Sequence, residues 1–222
     1  MNTKPIPFSP PMVRALLRDT DPKTQTRRGL KLRGYKGFSE FQRSTTHGYD
    51  WQFRRADMAW CDVTNARLLD LLPYQVGDLC YVTEPWRTDI AVDNVPPSEI
   101  GTGRGVKYET DGACSIQYGN DMPEKWGRLR PGMFMCRWMS RITLRVTAVK
   151  VEKLQDISSA DAEAEGVERL SECRWRDYLD IDPDHYINAV ASFASLWTSI
   201  NGPGSWDANP FVAAYTFELA NR

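Results

Sequence analysis

Lys23-Thr24-Gln25-Thr26-Arg27-Arg28 places one amine, two hydroxyls and two guanidiniums within six consecutive residues. Three kinds of chemistry fit these groups. Ammonium and guanidinium donors hold phosphate oxygens. A threonine hydroxyl becomes a nucleophile when a base takes its proton, and a lysine can be that base if desolvation or nearby cations depress its pKa. Alternatively the stretch is a solvated strand edge. If extended, it shows Thr24, Thr26 and Arg28 on one face and Lys23, Gln25 and Arg27 on the other. A turn at its start would instead bring Lys23 beside Thr26.

Further along, Glu84 stands beside Trp86 at the end of an apolar run, either as a second site carboxylate or as one half of a surface salt bridge. Arg137, Trp138 and Arg141 have the chemistry to stack on and clamp a nucleotide, or to pack half-buried. Between Gly29 and Arg55, the rings of Tyr35, Phe38, Phe41, Tyr49, Trp51 and Phe53 interleave with Lys36, Arg43, Arg54 and Arg55. Aromatics among cations suit base stacking; they equally suit a poorly ordered loop that packs its rings on the body of the fold, the reading favoured here.

Local signals predict the elements that must position these groups. Ser9-Pro10-Pro11 starts a helix carrying Val13, Leu16 and Leu17, which stops before Pro22. The turn from Asp19 to Pro22 delivers Lys23. Gln75-Val76-Gly77-Asp78 turns into the strand Leu79 to Glu84, and Asp111-Gly112 centres a hairpin of Val106 to Thr110 and Ser115 to Tyr118. In the long strand from Arg141, Ile142, Leu144, Val146 and Ala148 alternate in one phase, whereas Val149 and Val151 take the other. Such a switch suggests a bulge that curves the sheet. Ser158 to Asp161 resembles a capping box for a short helix ending at Gly166. Asp182-Pro183 starts the longest helix, with Tyr186, Ile187, Val190, Phe193, Ala194 and Trp197 as its stripe. A last strand follows Asn209-Pro210, with Phe211, Ala213, Tyr215, Phe217 and Leu219 alternating.

The 222 residues are 41% hydrophobic and 26% charged, an ordinary globular composition. No apolar run approaches the roughly 20 residues of a membrane span, and the N-terminus lacks a signal-peptide core, so a cytoplasmic protein without membrane association is expected. Five widely spaced cysteines and two histidines argue against a disulfide framework, a zinc site or a histidine-based triad; no metal and no cofactor are expected. The net charge is −1, but unevenly spread. From Lys23 to Lys36 there are six basic residues and no acid; from Glu152 to Asp184 there are eleven acids and four basic residues. Either the basic run attracts phosphate, or the two stretches neutralise each other within one domain.

Several segments, in this order, resemble an ASCH domain of the PUA-like superfamily. They are the helix Met12 to Leu17, the Lys23 to Arg28 stretch, Gly77-Asp78-Leu79 through Glu84-Pro85-Trp86, the strand Arg141 to Val151 with Leu154-Gln155-Asp156-Ile157, the Ala162 to Gly166 helix end and the Asn209 to Glu218 strand. The larger ASCH proteins of tailed phages and prophages are especially similar, which would place the chain in a bacterial host cytoplasm. The resemblance implies an α+β fold: a single domain over 1–222, a curved antiparallel β-barrel with flanking helices and insertions at about 29–75 and 87–134. It also implies binding of RNA, DNA or a modified nucleoside beside the barrel. Small ASCH amidohydrolases remove the acetyl group of N4-acetylcytidine with a lysine, a threonine three residues later and a glutamate on a later helix. The matching residues are Lys23, Thr26 and Glu165. Thr24, Arg27, Arg28, Glu84, Trp86, Arg137, Trp138 and Arg141 are the expected substrate contacts.

On the resemblance, Thr26 would attack an exocyclic amide, Lys23 would take its proton in the positive field of Arg27 and Arg28, and Glu165 would hold the lysine. Two alternatives use the same residues: a non-catalytic nucleic-acid-binding module, in which Lys23 and Arg28 bind phosphate and Glu165 pairs with a cation, and a ribonuclease. The two insertions separate this chain from the small amidohydrolases and put the substrate in doubt.

Overall fold

The computed structural model describes residues 3–116, 122–172, 174–179 and 188–221. In chain order the elements are β1 (Lys4–Pro7), α1 (Pro10–Leu16), β2 (Gln25–Gly29), β3 (Glu40–Arg43), β4 (Trp51–Arg54), β5 (Trp60–Val63), α2 (Asn65–Leu71), β6 (Leu79–Thr83), β7 (Trp86–Arg87), β8 (Val106–Tyr108), β9 (Cys114–Ser115), β10 (Thr143–Lys153), α3 (Ser159–Ala164), β11 (Arg169–Ser171), β12 (Arg174–Trp175), α4 (Ala189–Asn201) and β13 (Phe211–Asn221). The class is α+β, dominated by strands. The largest sheet has the order β1-β6-β10-β13-β2. Its pairings leave β1 and β2 as edges, so among the described residues the sheet is open where the sequence suggested a closed barrel. The chain divides into two compact units. One comprises Met1–Lys23, Asp78–Arg145 and Glu218–Arg222; the other comprises Thr24–Gly77 and Val146–Phe217.

In the first unit β1 runs parallel to β6, with Ile6 opposite Val82. Nothing in the sequence marked Lys4–Pro7 as a strand, because Pro5 and Pro7 read as breakers. The pairing explains the exception. Phe8 N–H donates to Thr83 O at 3.0 Å, so residues of that phase face β6. Pro5 and Pro7 fall in the other phase, where their missing N–H groups would point to the open edge. The β1–β6 pair is parallel, whereas β10 pairs with β6 and β13 with β2 antiparallel. α1 follows Ser9 as expected and buries Val13, Ala15 and Leu16, whereas Leu17 is exposed. Asp21 then adopts φ 48°, a left-handed turn conformation that aspartate tolerates, and Lys23 N–H returns to Ala15 O at 2.9 Å. The expected hairpin forms as β8 and β9, turned at Asp111 and Gly112; Gln117 and Tyr118 lie outside the described residues. Trp86 pairs with Tyr108, and both belong to a buried cluster with Val106, Met135 and Met139.

The second unit holds the continuation of β10, then β13, then β2, with Thr26 opposite Tyr215 and Arg27 opposite Ala214. Burial along β10 switches phase where expected: Leu144 and Val146 are buried, Thr147 and Ala148 are both exposed, and Val149 and Val151 are half-buried. The stretch read as an aperiodic insertion contains the sheet β3-β4-β5 followed by α2. Its rings pack inward: Phe41 and Trp51 stack at 5.2 Å and both meet Phe211 edge-on, at 5.0 and 5.5 Å. α3 begins at Ser158, whose hydroxyl accepts from Asp161 N at 3.1 Å. α4 buries Ala189, Phe193, Leu196 and Trp197 against Leu154, Ile157 and Val212; the expected start at Asp182, with Tyr186 and Ile187, lies outside the described residues. β13 departs from simple alternation, since Val212 through Tyr215 are all buried.

Candidate functional site

β2 brings its polar side chains indoors. Gln25, Thr26 and Arg27 are buried, Arg28 is half-buried and Thr24, just before the strand, is exposed. Two backbone hydrogen bonds fix the entry of the strand: Thr24 N–H donates to Ala164 O at 2.9 Å, and Phe217 N–H donates to Thr24 O at 2.9 Å. The first ties β2 to the end of α3, where Glu165 is the C-cap.

On the Gln25 and Arg27 face of β2 sits an ion cluster. Arg27 donates to Glu152 Oε1 at 2.6 Å, to Asp161 Oδ2 at 3.1 Å and to Glu165 Oε1 at 3.2 Å. It also bonds Gln25 Oε1, and Gln25 Nε2 bonds Asp161 Oδ1 at 3.1 Å. Lys150 Nζ completes the group, 3.1 Å from Glu152 and 2.8 Å from Asp161. The Phe193 ring of α4 lies 5.9 Å from the Arg27 guanidinium carbon. A buried guanidinium requires this degree of pairing, because an unpaired buried charge costs several kcal/mol. Burial opposes ionisation of Asp161, yet the hydrogen bonds from Lys150 and Gln25 and the charges of Arg27 and Lys150 outweigh it and hold the carboxyl at about 2.

Glu152, Asp161 and Glu165 surround the Arg27 guanidinium, and Lys150 bridges the first two. The Arg27 guanidinium is engaged by all three of these carboxylates. Strand alternation also sends the Thr26 side chain to the face opposite Arg27 and its Glu165 partner. Lys23, in the first unit, is 2% exposed, and its Nζ lies 5.9 Å from the Phe8 ring centre. Thr26 and Glu165, in the second, are 1% and 2% exposed. Gln25, Lys150, Glu152 and Asp161 were not picked out from the sequence. Asp161 was legible as a cap, and Glu152 only as part of the acidic stretch.

The other candidates belong to the first unit. Glu84 is buried and grips Arg141 through two parallel bonds, Nε to Oε1 at 2.8 Å and Nη2 to Oε2 at 3.0 Å. Arg141 Nη1 reaches Asp111 Oδ2 at 2.8 Å, and the guanidinium lies 4.1 Å from the Tyr108 ring centre. Tyr108 donates its hydroxyl to Met139 O at 2.8 Å, and burial above all pushes that hydroxyl up to about 12. Glu84 and Arg141 thus hold each other, and Arg141 ties the pair to the hairpin turn at Asp111. Trp86 is fully buried and offers no face to a ligand. Trp138 is half-buried against the same cluster. Arg137 is exposed; its Nη2 bonds Thr143 Oγ1 at 2.9 Å, and its guanidinium lies 5.7 Å from the Tyr81 ring centre.

The basic run therefore has two halves. Lys23 and Arg27 are buried, whereas Lys31, Arg33 and Lys36, in the loop after β2, are exposed. Arg33 anchors that loop: its N–H donates to Leu71 O at 2.7 Å and its guanidinium bonds Asp70 O, at the end of α2. Among the described residues no group of three or more His, Cys, Asp or Glu side chains is placed to hold a metal ion, and no helix is long and apolar enough to cross a membrane. No protein-family model, curated protein or solved structure matches the chain.

Proposed function

We propose that this chain is a PUA-like protein of the ASCH type that binds RNA or a modified nucleoside, in the cytoplasm of a bacterial host. The observation that carries the reading is the division of the basic run. Arg27 is consumed by internal pairing, while Lys31, Arg33 and Lys36 face water with no acid between Lys23 and Lys36. Exposed cations in an acid-free segment attract a phosphate backbone. The family resemblance supports the reading through the order of its segments, two of which, β2 and the end of α3, are joined by the Thr24–Ala164 and Arg27–Glu165 bonds. A curved barrel remains part of the proposal. The direct experiment measures fluorescence anisotropy of a labelled single-stranded RNA of about 10 nucleotides, within the range such sites cover. Saturable binding that weakens with salt supports the reading; no binding of this RNA, of matching DNA or of any nucleoside in a modified panel refutes it.

A second reading, hydrolysis of an N-acyl amide on the base, is supported by the burial of Lys23, Thr26 and Glu165, groups that would react out of contact with bulk water. Mass spectrometry of N4-acetylcytidine after incubation tests it. Turnover that Thr26→Ala abolishes supports the threonine nucleophile; full turnover by Thr26→Ala removes it. Shortened RNA in the same incubation would favour the ribonuclease alternative.

A further inference from the structure

The interleaved aromatics and cations split into two groups. Phe41 and Trp51 are spent on packing against Phe211. Tyr35 and Phe38 instead stand half-exposed beside an open pocket of about 210 Å³, bounded also by Gly34, Lys36, Arg55 and Asp57. We propose that this pocket takes one unpaired base of a single-stranded nucleic acid. The inference rests on the nucleic-acid reading above and adds a base-recognition site within the second unit.

Size selects the occupant first. The pocket is smaller than the roughly 300–1,000 Å³ of sites for drug-sized ligands, so it suits a single planar group. The rings are held in place from beneath. Phe53, fully buried, meets Tyr35 edge-on at 4.9 Å and Phe38 at 5.8 Å. A platform fixed in this way loses little freedom when a base stacks on it. Gly34 and Gly37, at φ 83° and 74°, bracket Tyr35 and Lys36 and leave that turn without side-chain cover on either side.

Charge selects the class. Lys36, between the two ring-bearing residues in sequence, also lines the pocket and is exposed. Arg55 pairs with Asp57 at 2.5 Å, with side chains 46% and 54% exposed. An exposed pair of this kind contributes little, so its guanidinium can turn to a phosphate. From Lys31 to Phe38 the chain has three cations and no acid. Aromatic faces flanked by exposed cations are the pattern of sequence-tolerant single-strand binding.

The test compares the labelled RNA of about 10 nucleotides with an abasic strand of equal length. The intact strand should bind the wild-type chain about tenfold more tightly, the contribution of roughly one stacked base. Tyr35→Leu retains bulk over Phe53 and should remove that advantage while leaving abasic binding unchanged. Arg55→Ala, a surface change, should weaken both strands alike. Thermal unfolding confirms that each variant is folded. Equal binding of intact and abasic strands by the wild-type chain overturns the base pocket without any variant. Unchanged discrimination in folded Tyr35→Leu also overturns it, and then leaves the phosphate-binding reading standing. If the wild-type chain binds neither strand, the pocket proposal falls, while nucleoside binding or turnover is judged separately by the modified panel.

Discussion

Buried Arg27 and half-buried Arg141 have different partners and one physical logic: each answers a buried carboxylate. Arg27 answers to Glu152, Asp161 and Glu165; Arg141 answers to Glu84 and Asp111. Removing one partner of a buried pair costs about 3–5 kcal/mol, because the other charge is left without compensation. Arg141→Met should therefore destabilise the protein by about that amount in urea unfolding, and adding Glu84→Leu should recover most of it. A cost below about 1 kcal/mol, the range of a surface pair, would show that Glu84 is solvated and available to a ligand. Residue chemistry was legible in the sequence, but the partners were not. Arg27 finds its counterions 125 to 138 residues away, a separation that no local pattern encodes. Only the contrast between a basic run and an acidic stretch hinted at it, and the mutual-neutralisation reading holds for Arg27.

At the scale of elements, β2 and α3 share one electrostatic dependence. The Asp161 carboxyl is held at about 2, below its ordinary range. A carboxyl lowered in the folded state stabilises the fold above its unfolded pKa and loses that contribution as pH falls through the folded one. Stability should therefore decline from about pH 4 to about pH 2, followed by circular dichroism melting. Asp161→Asn should flatten that decline while lowering stability at neutral pH; an unchanged acid profile would mean that the cluster is not ionised as drawn. Ser158→Ala should cost about 1 kcal/mol through loss of the N-cap of α3, with no acid dependence. Elements with strong local signals were readable: α1 through its Ser-Pro-Pro start, α3 through its cap, the β8–β9 hairpin through Asp111-Gly112 and the β10 phase switch. The β3-β4-β5 sheet was not. Only β4 alternates, with Trp51 and Phe53 buried; β3 has no fully buried residue, so cross-strand pairing has to define the sheet. β1 was hidden by prolines that only an edge position accommodates.

Over the whole chain, near-zero net charge conceals a local asymmetry, and the account depends on which cations face water. Buried Arg27 is tied to carboxylates and releases no counterions, whereas exposed Lys31 and Lys36 would release them on binding phosphate. The most direct measurement is the salt dependence of affinity for single-stranded RNA. The logarithm of the binding constant should fall linearly with the logarithm of salt concentration. Lys31→Ala combined with Lys36→Ala should make that slope shallower by about 1.4, or about 0.7 for each lost phosphate contact on a single strand. An identical slope in the double variant would contradict the claim that the exposed half of the basic run is the nucleic-acid surface.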